Sequence, residues 1–307
     1  MAIDLRKLRH VVEVARAESI TGAAHTLYIT QSALTRSIAE VEAELGVALF
    51  QRLPRGVRLT ETGRVFVARA RTILGDMDDL LGSMADVTAL NTGRLRLGAA
   101  PTVYQTFLGE AIARLAREHP GISIEVITGP VNDLTPRLLG GDLDLLAGPH
   151  RTLEKWPEFQ VEHIVDFACV MMMRLGHPLQ QRATVTEGDV LHYPAVIPAT
   201  LDPLLTDIAQ IYARHRLQRF QPQYAVDDFD LMRRIVNATD AFAPIISLEP
   251  RFGTLRDRFF LLEDVVRMPV QSMAIAMSRN RTLSPAARTF IETARQELGR
   301  HRHSTAE

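Results

Sequence analysis

The chain has 307 residues, 46% hydrophobic and 23% charged, the balance of a globular protein of two or three domains and not of a disordered chain or a fibre. Thirty-five basic against 36 acidic residues leave a net charge of -1, which excludes a uniformly basic protein, and one cysteine, Cys169, excludes an internal disulfide framework or a cysteine-rich zinc site. No apolar run approaches the roughly 20 residues that span a bilayer, and no signal-peptide core follows Asp4, Arg6 and Lys7; the expectation is a cytoplasmic protein without a membrane partner.

Charge is uneven along the chain. Residues 1–75 hold 11 Arg/Lys against 7 Asp/Glu, and the rest hold 24 against 29, a mildly basic head on an acidic body. In that head Leu8, Val11, Val12 and Ala15 make one helical stripe, and a short second helix runs from Thr21 to Leu27 with Ala23, Ala24 and Leu27 at close-packing positions. Thr30 suits the cap of a third helix, in which Leu34, Ile38, Val41 and Leu45 share a face and Gly46 ends the run. The opposite face of its first two turns carries Gln31, Ser32, Thr35 and Arg36. Two helices joined by a tight turn, the second offering polar side chains from its N-terminal end, have the geometry that enters a DNA major groove. There Gln can pair with adenine and Arg with guanine. An ordinary solvated face would show the same pattern. Pro54 and Gly56 next turn two short extended pieces, with Arg52, Arg55 and Arg58 around the turn. A basic hairpin beside a recognition helix would touch phosphates.

Thr60 can cap a further helix. Phe66, Ala70, Ile73, Met77, Leu80, Met84 and Val87 alternate steps of four and three, the seam of a coiled coil between two chains, or of a helix packed on its own domain. From Glu61 to Leu90 it would span roughly 45 Å, ahead of a hinge at Asn91-Thr92-Gly93. The texture then becomes α/β. A strand at Leu95–Ala99, a helix defined by Phe107, Leu108, Ala111, Ile112 and Leu115, a strand at Ile122–Ile127, a helix at Asn132–Leu139 and a strand at Leu143–Ala147 imply a parallel sheet with helices on its faces. Ligands bind such sheets beyond the carboxyl ends of the strands, which here are the loops at residues 100–103, 128–129 and 148–149. Further strands are expected at Val161–Met173, Ala195–Ile197, Tyr224–Val226, Phe242–Ile246 and Val270–Met277. Helices are expected at Leu204–Ala213, Phe229–Asn237 and after Ser284-Pro285. Two α/β lobes with a cleft between them are the simplest architecture.

Chemical signatures are missing: the chain has no glycine-rich phosphate loop, no dinucleotide fingerprint, no His-Glu-x-x-His and no Gly-x-Ser-x-Gly. Asp142 with Asp144 and Asp227 with Asp228 read as structural carboxylates. No enzyme, cofactor or metal is expected. Cys169, in an apolar run, reads as an inert buried thiol.

The run from Ile20 to Ile38, with Leu45-Gly46-Val47-Ala48-Leu49-Phe50, Arg52, Arg55 and Leu59-Thr60-Glu61-Thr62-Gly63, strongly resembles the helix-turn-helix of LysR-type transcriptional regulators. The resemblance implies three parts: a winged helix-turn-helix (1–60), a linker or dimerisation helix (61–90), and a two-lobed α/β effector domain resembling periplasmic binding proteins (91–307). Lobe I would take about 91–162 and 270–300, lobe II about 163–269. It implies a regulator of promoter DNA controlled by a small molecule held between the lobes, dimeric through the linker helix and assembled as a homotetramer. Gln31, Ser32, Thr35, Arg36, Arg52 and Arg55 stand at the family's DNA contacts. Pro101, Thr102, Val103, Thr128, Pro149, Ala199 and Thr200 stand at its effector loops. Ser32 replaces a frequent proline, and Asn237–Ala241 replaces a glycine-rich stretch of many members. A lone cysteine cannot close the disulfide of redox-sensing relatives. The alternative is an effector-independent regulator whose body serves assembly alone; a more distant one is an α/β binding or catalytic protein with an accessory DNA head.

Overall fold

Three polar side chains begin the three head helices by the same device. Asp4 accepts from the Lys7 N–H at α1 (Leu5–Ala17), Ser19 from Gly22 at α2 (Ile20–Thr26) and Thr30 from Ala33 at α3 (Gln31–Leu45). Each satisfies one of the amides a helix start leaves unpaired. Gly46 closes α3 in the left-handed conformation, as expected. The computed structural model describes residues 3–54, 56–86, 93–103, 108–198, 203–216, 220–247 and 255–303.

Leu34, Ile38 and Val41 of α3 meet Val11, Val14, Ala23 and Ala24 in one small core. Val14 is buried there, while Val12 and Ala15 of the expected stripe are only half-buried. The chain then makes the hairpin β1 (Phe50–Leu53) and β2 (Gly56–Leu59), whose Val57 also enters the core. Gly56 adopts φ +102°, and a Cβ there would lie 2.4 Å from the Glu18 carbonyl oxygen; Val57 donates to that carbonyl at 2.9 Å. Only glycine lets the hairpin lie this close to the end of α1.

The helix α4 is described from Glu61 to Asp86; the rest of the expected span to Leu90, with Val87 and the hinge residues Asn91 and Thr92, lies outside the described residues. Its apolar seam divides. Val67 is buried in the head core, Phe66 packs against it and Ala70 is also buried, whereas Ile73 and Leu80 stay 48% and 53% exposed.

The body follows the expected alternation. Its first lobe contains β3 (Gly93–Ala99), α5 (Pro101–Val103), α6 (Gly109–Glu118), β4 (Ile122–Thr128), α7 (Val131–Leu139), β5 (Leu145–Pro149) and α8 (His150–Leu153). β5 starts two residues later than expected because Asp142 and Asp144 hold a turn. Asp142 pairs with Arg71 at 2.9 Å, and Asp144 accepts from the backbone and guanidinium of Arg96. Both are structural, as read.

The 16-residue β6 (Phe159–Arg174) joins the lobes. Its first half pairs antiparallel with β11 (Gln271–Ser278), and its second half with β9 (Ala243–Ser247) and β10 (Phe259–Leu262). The sheet runs β10-β6-β11-β5-β3-β4, with β9 also on β6 and β4 at the edge. β3 is parallel to β4 and β5. The second lobe adds α9 (Glu187–Leu191), β7 (Val196–Ile197), α10 (Leu204–Arg214), β8 (Tyr224–Ala225) and α11 (Phe229–Ala238), with β7 parallel to β8. The chain returns through Pro269 and Val270 to β11, and α12 (Pro285–His303) then packs on the first lobe, its first turn capped by Ser284. The first lobe has one core; the second has two, one on each side of its strands.

Candidate nucleic-acid interface and ligand cleft

The start of α3 stands clear of the core. Gln31, Ser32 and Arg36 are exposed and Thr35 is half-buried. Ser32 shares its hydroxyl with the cap residue Thr30 at 3.1 Å, so Gln31 and Arg36 are the long side chains free to reach outward. Tyr28, in the turn before α3, has φ +55° and is 94% exposed. A left-handed non-glycine residue with an aromatic ring in water is uncommon, and nothing in the apolar periodicity flagged it; the signal was a large ring at a turn position that no stripe uses.

The hairpin is fixed beside this face. Glu42 of α3 accepts from the Leu49 and Phe50 N–H groups at 2.7 and 3.1 Å. Thr60 donates to the Ala48 carbonyl at 2.7 Å and accepts from Gly63, while Thr62 donates to the same carbonyl. A Cβ on Gly63 would fall 2.0 Å from the Leu49 carbonyl oxygen. The Leu49-Phe50 and Thr60-Glu61-Thr62-Gly63 motifs therefore weld α3, hairpin and α4 into one unit. Arg52 and Arg58 are exposed. Arg52 lies opposite Val57, and Arg58 opposite Gln51; cross-strand neighbours share a face, so the two arginines sit on opposite faces of the hairpin. Arg55 lies outside the described residues.

Between the lobes is an open cleft. It sits beyond the carboxyl ends of β3 and β5 in one lobe and β7 and β8 in the other, where parallel strands place ligands. Pro101 and Pro149 line it, as do Leu204, Phe229, Met232, Ile245 and Met273. Of the other expected residues, Thr102 lies between Pro101 and Val103 in α5, and Ala199 and Thr200 lie outside the described residues, just after the lining residue Pro198. Two fall elsewhere. Val103 is fully buried in the first lobe's core, where its branched side chain is spent on packing. Thr128, exposed at the end of β4 and paired with Ala99 of β3, is not among the residues that line the cleft. Asp227, read as structural, lines the cleft instead, while its neighbour Asp228 caps α11 through Leu231 N–H at 2.7 Å.

Gln271, where the chain re-enters the first lobe, also lines the cleft. Its amide nitrogen donates to Asp207 at 3.2 Å and to the Pro269 carbonyl at 2.9 Å. Asp207, on α10 and 2% exposed, accepts from Arg151 of α8 at 3.0 and 3.1 Å. One buried carboxylate of the second lobe is thus held by a cation and an amide of the first. Cys169, on β6, is only partly accessible, and burial with the nearby Asp207 charge pushes its thiol up to about 12, far from a reactive thiolate. Among the described residues no group of His, Cys, Asp and Glu could hold a metal ion, and no helix is long and apolar enough to cross a membrane.

Residues 5–64 match the bacterial regulatory helix-turn-helix protein of the lysR family, and residues 88–299 match the LysR substrate binding domain. The chain belongs to the LysR family of transcriptional regulators. It is similar to the SDS degradation transcriptional activation protein of a Pseudomonas sp. strain, 32% identical over 295 residues, 92% of this chain and 93% of that one. It is also 32% identical over 196 residues to the regulator PcaQ of Agrobacterium fabrum, 64% of this chain and 63% of PcaQ. Among solved structures, a full-length OxyR point variant from Pseudomonas aeruginosa shares the fold at 19% identity and TM-score 0.70, covering 97% of this chain and 95% of that one. CbnR in complex with its target DNA does so at 16% identity and TM-score 0.65, covering 96% and 100%. This LysR-type protein is a DNA-binding transcriptional regulator with an effector-binding domain, and not an enzyme. Regulators of the family bind promoter DNA and small-molecule effectors and form oligomers.

Proposed function

We infer that α3 enters a major groove of promoter DNA with Gln31, Ser32, Thr35 and Arg36, and that the hairpin follows the backbone with Arg52 and Arg55. The exposed polar start of α3, fixed beside a basic hairpin by Glu42 and Thr60, carries the reading. Tyr28 joins it, its ring and hydroxyl placed to meet sugar and phosphate. Two copies pair along α4 through Ile73 and Leu80, which the head leaves uncovered, and two such dimers make the tetramer on a partly palindromic site. Such a protein works in the cytoplasm, where the DNA is.

The effector occupies the cleft between the lobes, against Pro101, Thr102, Pro149 and the Ala199-Thr200 segment. It favours one disposition of the lobes and so alters the spacing of the DNA-binding heads; equal affinity for both dispositions would shift nothing. The relative named for SDS degradation suits a cleft walled by Leu, Ile, Met, Phe and Pro. The test is selection of a binding site from random duplex DNA, followed by binding of wild type and Arg36→Ala. Loss of one base-specific contact is worth about 1–3 kcal/mol, so the variant should bind roughly 5- to 150-fold more weakly with an unchanged melting temperature. Wild-type affinity in Arg36→Ala would remove α3 from the interface.

A further inference from the structure

The linker helix and the body grip one another in both directions. Arg71 of α4 reaches the turn between α7 and β5, where its Nη1 lies 2.9 Å from Asp142 Oδ2. Arg281, in the turn between β11 and α12, reaches back. Its side chain is only 8% exposed, and its Nε lies 3.8 Å from Oδ1 of Asp76 on α4. Each side thus supplies one cation and one anion. Two glycines clear the space for Arg281. A Cβ on Gly75 would fall 2.2 Å from its Nη2, and one on Gly141 would fall 2.7 Å from its Nη1. Glycine weakens a helix interior, and Gly75 is buried near the middle of α4, so its place there answers to the guanidinium. Gly141 has φ +78°, which glycine adopts without strain, and a Cβ there would also lie 3.6 Å from the Arg71 carbonyl oxygen. Helix and turn therefore approach closely, with the Arg281 guanidinium seated between them.

The body's residues in this seam all belong to the first lobe. Both turns lie at the amino end of β5: one leads into Leu145, and the other follows β11, which runs antiparallel to β5. The cleft, lined by Pro149 at the carboxyl end of β5, is at the opposite end of the lobe. Arg71 and Asp142 are half-buried and Asp76 is exposed, so water screens part of the attraction and the contact can open without unfolding either side. We propose that this seam is a releasable clasp. Closed, it fixes α4, and with it the head whose core α4 shares, to the first lobe of its own chain. A change in the disposition of the lobes then moves the second lobe against the DNA-binding head. The clasp stands independently of what the cleft binds.

The experiment uses the full-length protein with Cys169→Ser and nitroxides at His25→Cys in the head and Ser123→Cys in the first lobe, both exposed positions. Co-expression with excess unlabelled chain leaves one labelled copy in each oligomer, and pulsed dipolar spectroscopy reads the distance from head to lobe. The labelled protein should show a narrow population at the separation set by the closed clasp. Arg281→Ala should lower the ratio of that population to the rest about threefold, the scale of one partly exposed ion pair. Gly75→Ala should act in the same direction with its helical signal intact, since alanine is the better helix former and its Cβ meets Arg281. Arg71→Asp should lower the ratio as well, and adding Asp142→Arg should restore it. Absence of the closed population from the labelled protein overturns the clasp, as does a ratio unchanged in both Arg281→Ala and Gly75→Ala. A charge swap no better than Arg71→Asp alone overturns the part assigned to Arg71 and Asp142.

Discussion

The buried carboxylate of Asp207 ties the two lobes together, and Arg151→Ala is the perturbation that exposes its worth. Removing one partner of a buried ion pair costs about 3–5 kcal/mol, because the other charge stays in a low-dielectric site. Two features lower that figure here. The Arg151 side chain is 48% exposed, so water already screens part of the attraction, and Gln271 remains to donate to Asp207. About 2 kcal/mol is left, which for a domain of this size lowers the melting temperature by roughly 4–8 °C. The reverse change is milder. In Asp207→Asn the arginine can turn into solvent, and the loss is about 1 kcal/mol. The double variant should therefore be more stable than Arg151→Ala alone, since deleting the buried charge relieves the damage. Chemical denaturation of the four proteins measures this as a double-mutant cycle. An Arg151→Ala variant within about 0.5 kcal/mol of wild type would refute the argument. So would a double variant that costs the sum of the singles.

Three further outcomes follow from the structure. His177 is fully buried, with Nδ1 accepting from the Leu179 N–H and Nε2 donating to the Asp240 carbonyl; burial holds its pKa below the usual histidine value. The unfolded chain takes up the proton first as pH falls, so His177 contributes stability that is whole above about pH 6.5 and declines below it. Melting temperatures between pH 7.5 and 5.5 should fall less steeply in His177→Asn than in wild type; parallel curves would acquit His177. Gly56→Ala places a side chain at φ +102° and against the Glu18 carbonyl. It should cost the head at least about 1–3 kcal/mol, seen as earlier loss of head structure by hydrogen exchange, and unchanged protection would show that the hairpin can shift away. Ile73→Asp with Leu80→Asp should halve the mass of the smallest stable species in sedimentation equilibrium while leaving the helical signal intact; a mass equal to wild type would place the dimer contact elsewhere.

The head was legible residue by residue because its signals are local. Caps, a glycine stop and a stripe repeating every three or four residues are read within a dozen positions. The α4 seam reads as continuous in sequence, yet Phe66 packs on the protein's own head while Ile73 and Leu80 stay exposed, since periodicity names a face without saying what covers it. β10, Phe259–Leu262, was not anticipated: four apolar residues give too short a run to separate from loop until β6 supplies a partner. Pro101 and Pro149, which follow or end strands in the sequence reading, line the cleft between the lobes. Thr128 also ends a strand, beside Ala99 of β3, yet its side chain is not among those lining the cleft.

Sequence alone determined the kinds of elements, the polar face of α3 and the family, because each rests on residues near one another in the chain. Tertiary structure decided which charges meet. Arg151 and Asp207 are 56 positions apart and Asp207 and Gln271 are 64 apart, and nothing local in either signals the other. Asp227 and Asp228 look alike in sequence, yet one caps a helix and the other faces the cleft. Adjacent residues diverge at a helix start, and which of them meets a ligand depends on where the other lobe stands.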